Sequence, residues 1–335
     1  MSNISRFYSV GTLLLLLAGG VAAQEAVSLS RQDQKVVPVT AYLYKGAACR
    51  GVAVISPGAG GSEKGYQYLG EAMSSLGYFA VVVGHQESGR RALREHMRGN
   101  GLREGLSELI TDSNAYRGRF MDIAAAKQWA ATKCHATESI LIGHSMGAAT
   151  TMMEAGARNS LGMKGTDAFD AYIVLSPQGT GSIFPQNAWA DIKHPVLSLT
   201  GTRDDELGGA SWETRTEPYM NMPAGCKWLG VIDGATHMNF AGNGMSRRTE
   251  ALTTQIIGSF LDGVHRGDCK APRQHHGIDV QSKWGSPPFS RTLTRRPIEA
   301  MRSVHVKASQ VQCRVQAWRG GASQSARCQL RPGSP

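Results

Sequence analysis

Closely paired cysteines are missing from this chain. Its six cysteines, Cys49, Cys134, Cys226, Cys269, Cys313 and Cys328, contain no C-x-x-C, which excludes the common short-spaced zinc and dithiol sites. Long apolar runs are missing after the first two dozen residues, so no later segment reads as membrane-spanning. A glycine-rich stretch near residue 58 lacks the Lys-Ser/Thr ending of a phosphate-binding loop, which excludes a Walker-type nucleotide site. No internal repeat is present. Acids nearly vanish near the C-terminus: Lys270 to Pro335 holds twelve Lys and Arg against Asp279 and Glu299. The net charge of +10 therefore belongs to this tail, and the rest of the chain is balanced.

What is present divides the chain in three. Residues 1–23 read as a signal peptide, with Arg6 at the positive end, Val10 to Ala18 as the apolar core and Val21-Ala22-Ala23 as the cleavage site. That core is too short for a permanent transmembrane anchor. Residues 24–269 suit one domain by length. Residues 270–335 are rich in Pro, Ser, Gln, Gly and Arg without clear periodicity. They predict a disordered basic tail. It reads either as a tether to an anionic surface (lipid, cell-wall polymer or nucleic acid, without specific nucleic-acid recognition) or as a segment with no role of its own.

Within the body, apolar strand-like runs alternate with helical stretches. Strands are expected around Val39–Tyr44, Ala53, Phe79–Val83, Ile140, Tyr172–Leu175, Pro195–Thr200 and Lys227–Ile232. Helices are expected at Tyr66–Leu76, Phe120–Ala131, after Ser145, and at Arg247–Val264. In the last of these, Leu252, Ile256, Phe260 and Val264 share one face. This order predicts an α/β fold with a mostly parallel sheet covered by helices on both faces.

The chemistry is carried by Gly143-His144-Ser145-Met146-Gly147, directly after Ile140-Leu141-Ile142. A G-x-S-x-G between strand and helix presents the serine on a strained elbow. The following helix aims its free amides and positive dipole end at charge developing there. A serine nucleophile needs a base, and the order serine, acid, histidine is met downstream. Gly201-Thr202-Arg203-Asp204-Asp205 follows one strand, and Asp233-Gly234-Ala235-Thr236-His237 ends another. Each polar residue thus lies just past a strand's carboxyl end. Upstream, Pro57-Gly58-Ala59-Gly60-Gly61 follows the strand Gly51–Ile55, where glycines allow bare amides to approach a substrate.

With Ser56 to Ser62, the elbow, Gly201 to Asp204 and Gly234-Ala235-Thr236-His237 with Phe240, the chain resembles the α/β-hydrolase superfamily over residues 36 to 266. It is most similar to secreted dienelactone-hydrolase-like, cutinase-like and polyester-hydrolase-like esterases. The resemblance implies an α/β-hydrolase fold without a large cap domain and a secreted or periplasmic protein. It implies Ser145 as nucleophile, His237 as base, and Asp204 as orienting acid, with adjacent Asp205 as the alternative. It places oxyanion donors at Ala59 and Met146, with no metal or organic cofactor. True dienelactone hydrolases carry cysteine at the elbow. Serine here points instead to a serine esterase acting on small or polymeric esters, with lipase, polyester hydrolase or peptidase activity as variants on the scaffold. A non-catalytic binding protein with a working tail is the remaining alternative. Six cysteines in an exported chain suggest disulfides, and the resemblance implies the pairs Cys49–Cys134 and Cys226–Cys269. Cys313 and Cys328 are left to pair within the tail.

Other residues are weaker signals. His144 is expected to point away from the hydroxyl and to be structural. His85 is expected at the active-site edge, lining the cleft or exposed on a loop. Arg90, Arg91, Arg94 and Arg98 read as a solvated face or as contacts for acidic substrate groups. Trp129, Met152 and Met153 are expected in the core. Tyr66, Tyr68, Trp189 and Trp212 are candidates for an aromatic cleft wall.

Overall fold

A computed structural model describes residues 24–283, except 100, 207, 243–245 and 272–275. The expected leader, Cys313, Cys328 and most of the basic tail lie outside the described residues. Nine strands form one sheet in the order β1-β2-β4-β3-β5-β6-β7-β8-β9. They are β1 Gln24–Ser30, β2 Val36–Tyr42, β3 Gly51–Ser56, β4 Tyr78–Val83, β5 Glu138–His144, β6 Ala171–Leu175, β7 Val196–Arg203, β8 Lys227–Thr236 and β9 Ile278–Lys283. From β4 to β8 across the sheet every pairing is parallel. β1, β2 and β9 pair antiparallel at the two edges.

The central strands are apolar on both faces because both are covered. Val52 and Val54 enter one core, and the alternate residues Ala53 and Ile55 enter the other. Two helices, α4 (Ser113–Ala131) and α5 (Met146–Glu154), cover the first face through Tyr116, Ile123, Ala149 and Met152. The second face is covered by α1 (Gln67–Ser75) and α7 (Arg247–Arg266), through Leu69, Met73, Ile256 and Phe260. Between β4 and α4 lie α2 (Arg90–Met97) and α3 (Gly101–Thr111). A short α6 (Glu217–Asn221) precedes β8.

Several elements differ from expectation, among them α2, α3 and α6, which were not expected. The α4 helix starts at Ser113, earlier than Phe120, because Asp112 caps it: its carboxylate accepts the Asn114 amide. The edge strand β1 was not expected. The body also extends past residue 269, since Ile278–Lys283 pairs with β8 over six residues. This part of the basic segment, with buried Ile278, belongs to the sheet and corrects the expected boundary.

Cys49 pairs with Cys134 and Cys226 with Cys269, at Cα–Cα distances of 5.7 and 5.3 Å. The first pair joins the entries to the neighbouring strands β3 and β5. The second ties the entry of β8 to the segment after α7. Both lie at the end of the sheet opposite the carboxyl ends of its parallel strands. No helix of the described residues is long and apolar enough to cross a membrane.

Candidate active site

The sheet reverses its winding between β3 and β5, where the chain leaves one strand toward β4 and the other toward β6. Ligands of open α/β sheets bind at such a point, beyond the strands' carboxyl ends. Here those ends are Ser56 and Gly143, paired in register. Ser145 follows at φ 55° and ψ −118°, a conformation rare for a residue with a side chain. The turn closes because both flanking positions are glycine. A Cβ on Gly143 would lie 2.1 Å from the Gly147 carbonyl oxygen, and one on Gly147 would lie 2.0 Å from that of Ser56. Gly147→Ala should therefore cost about 3 kcal/mol of stability or more, read as a fall in the urea midpoint. An unchanged midpoint would contradict the tight packing of elbow against β3.

The Ser145 hydroxyl lies 3.0 Å from His237 Nε2, and His237 Nδ1 lies 2.9 Å from Asp204 Oδ1. His237 opens a 3₁₀ turn, His237–Ala241, fixed by a reciprocal cap between Thr236 and Asn239. Asp204 is fully buried, yet both its oxygens are satisfied. Oδ2 accepts from the Thr200 hydroxyl at 2.9 Å, and Oδ1 faces Arg215 Nε at 3.0 Å. Arg215 also donates to the carbonyls of Asp204, Ser176 and Pro177, so the acid's loop is held from behind. Asp205 is exposed and accepts from the Trp212 amide. Of the two aspartates, only Asp204 meets the histidine.

The loop after β3 comes against the elbow: a Cβ on Gly58 would stand 3.2 Å from Cβ of Ser145. Ala59 follows Gly58 in that loop and Met146 follows Ser145 in the chain, and no hydrogen bond among the described residues uses either amide. A buried chain of hydrogen bonds aligns the three segments. Gly58 N–H donates to the Tyr66 hydroxyl at 3.0 Å. Tyr66 lies 2.7 Å from His144 Nδ1, and His144 Nε2 lies 3.1 Å from the His237 carbonyl. The carbonyl can only accept, so Nε2 carries the proton and Nδ1 accepts from the tyrosine. Burial and the neighbouring His237 hold His144 well below the usual histidine range, which keeps it neutral. Tyr66, one of the candidates for a cleft wall, is buried and serves this link instead.

No family model matches the chain. It is 26% identical to cutinase est2 of Thermobifida alba over 246 residues, covering 71% of this chain and 70% of the relative. Cutinase est1 of the same organism is 25% identical over 245 residues, with 71% of each covered. A putative dienelactone hydrolase from Klebsiella pneumoniae superposes with a TM-score of 0.51 at 15% identity, covering 72% of this chain and 99% of that one. The chain has the α/β-hydrolase fold.

Other sequence candidates take different places in this hydrolase fold. His85 neither lines a cleft nor sits exposed. It is buried with Nε2 2.9 Å from the Ser56 hydroxyl and Nδ1 2.9 Å from Asp122. Asp122 is also bound by Arg31 at 2.8 Å. Burial, then the nearby Arg119 charge, lowers His85 to about 4 from 6.5. The unfolded chain thus binds a proton below pH 6.5 that the folded chain refuses. This stability is fully present above about pH 6.5 and is lost as pH falls toward 4, by about 3 kcal/mol. A Tm series across that range should fall more steeply for the wild type than for His85→Gln; parallel curves would contradict the assignment.

Trp189 is fully buried against Phe184, not in a cleft. Tyr68 donates to the Phe240 carbonyl at 2.9 Å. Trp212 is half-buried in a cavity of about 830 Å³ with Met220, Val231 and Ile278, whose walls include neither Ser145 nor His237. Trp129 packs edge-on against Phe79 at the core margin, and Met152 and Met153 are buried in the core. Arg90, Arg91, Arg94 and Arg98 are exposed along α2, with Arg91 paired to Glu95. Among the described residues, no group of three or more His, Cys, Asp or Glu is placed to hold a metal ion.

Proposed function

We propose that this chain is an exported serine esterase that cleaves carboxylic esters through an acyl-enzyme. The observation that carries this is the continuous line from the Ser145 hydroxyl through His237 to buried Asp204, at 3.0 and 2.9 Å. The curated relatives named cutinases support an ester as the substrate class.

The reaction follows from the site. Asp204 accepts the Nδ1 proton of His237, leaving Nε2 free to accept the Ser145 proton. As that proton moves, Oγ adds to the ester carbonyl. The developing oxyanion meets the amides of Ala59 and Met146, at the open end of α5. The tetrahedral species collapses, His237 protonates the departing alcohol, and an acyl-Ser145 remains. Water then repeats the attack with His237 again as base. The histidine's side chain is 30% exposed, against none for Asp204, so solvent reaches the base while the acid stays dry. That arrangement lets the negative Asp204 stabilise the imidazolium in a low dielectric.

Residues 1–23 act as a cleavable leader, and both cysteine pairs suit the oxidising compartment it leads to. The basic C-terminal segment gives the enzyme an electrostatic hold on anionic surfaces. A series of nitrophenyl esters from acetyl to dodecanoyl tests the central reading. Saturable hydrolysis with a nitrophenol burst equal to the enzyme concentration is expected. A folded protein that turns over none of them would overturn it.

A further inference from the structure

We infer that Arg119 is the positioning residue that sets both oxyanion amides, those of Ala59 and Met146, from behind the active site; this rests on the esterase reading above. Arg119 lies on the sheet-facing side of α4, one turn from Tyr116 and Ile123, and is 1% exposed. Its guanidinium reaches in three directions. Nη2 donates to the Pro57 carbonyl, two residues before Ala59. Nη1 donates to the Ser88 hydroxyl at 2.5 Å, and the Ser88 carbonyl accepts the Gly60 amide at 2.8 Å. Ala59 is thereby gripped on both sides. Nε donates to the Thr150 hydroxyl at 3.0 Å, which in turn donates to the Met146 carbonyl at 2.8 Å. The second amide therefore hangs from the same side chain as the first.

A planar fork of fixed N–H directions suits this task, and an ammonium point charge does not. Among the described residues, no ion pair neutralises Arg119. The nearest acid along the helix, Asp122, is engaged by Arg31 and His85. Burial pulls Arg119 down to about 10, so it stays charged at neutral pH. Keeping such a charge dry is costly. Hydrogen bonds to Pro57, Ser88 and Thr150, with a longer one to the Ser56 hydroxyl at 3.4 Å, offset that cost, and the first three lead to the oxyanion loop or the elbow.

The test compares Arg119→Lys, Arg119→Met and Thr150→Val with wild type. The readouts are kcat and KM for a nitrophenyl acetate, inhibition by an alkyl trifluoromethyl ketone that adds reversibly to the serine, and Tm. Misplacing the amides weakens only the state that carries an oxyanion. We expect kcat to fall about a hundredfold in Arg119→Met and about tenfold in Thr150→Val, with KM within threefold. Ketone affinity should fall in step with kcat/KM, and Arg119→Lys should recover part of the loss. Should Arg119→Met fail to fold, Thr150→Val still removes the arm to Met146 alone. Unchanged kcat in a folded variant, or KM rising in place of kcat, would overturn the assignment while the active wild type keeps the esterase reading intact. A wild type that neither hydrolyses the ester nor binds the ketone would remove both.

Discussion

Ser145→Ala is expected to lower kcat for ester hydrolysis by about four to six orders of magnitude, with Tm and KM little changed. The hydroxyl is the only atom lost, and among the described residues its hydrogen-bond partner is His237 Nε2. The elbow itself survives because its closure depends on Gly143 and Gly147, whose neighbours leave no room for a Cβ. A small residual rate over water should remain, since the Ala59 and Met146 amides still polarise a bound carbonyl. His237→Ala should give nearly the same loss, and the double variant should lose little more. Residues acting as one unit are not additive. An additive double variant would mean that serine and histidine serve separate steps.

The second large effect separates two adjacent aspartates. Asp204→Asn should lower kcat by about three to four orders of magnitude, while Asp205→Asn stays within about threefold of wild type. An asparagine amide facing His237 Nδ1 donates where the carboxylate accepted. The imidazole is then held with its proton on Nε2, unable to take the serine proton. Arg215 also loses the anion 3.0 Å from its Nε, so Asp204→Asn should lower Tm as well. Among the described residues, the Asp205 carboxylate accepts the Trp212 amide at an exposed position, and its loss frees nothing buried. Reversal of the two phenotypes would place the acid one residue later.

Much of the sheet was legible because its inner strands are apolar runs bounded by turn residues, as in Tyr78–Val83 and Ala171–Leu175. Serine and histidine were legible because a glycine-flanked turn and a strand end leave local marks. The choice between Asp204 and Asp205 was not. It depends on an irregular end to β7, where the register with β8 shifts between Gly201 and Arg203. Sequence spacing carries no trace of that shift. The edge strands were missed for a different reason. β1 exposes most of its residues, so its composition is that of a loop, and β9, half-buried along most of its length, lies inside a basic stretch that hides its alternating Ile278 and Val280. His85 was misread because a histidine just past a strand resembles a loop residue; its partners, Ser56 and Asp122, are 29 and 37 positions away. Arg119 had a signal that went unread. It shares the apolar helical stripe of Tyr116 and Ile123, and a cation on such a stripe needs a buried set of acceptors.

An activated Ser145 is what the proposed esterase chemistry requires. The direct test is treatment of the mature chain with a fluorophosphonate, beside Ser145→Ala, followed by mass mapping of the adduct. A single adduct on the peptide carrying Ser145, absent from the variant and slowed by His237→Ala, is the predicted result. A folded, disulfide-bonded protein that takes no label there would contradict the esterase and leave a hydrolase fold used for binding.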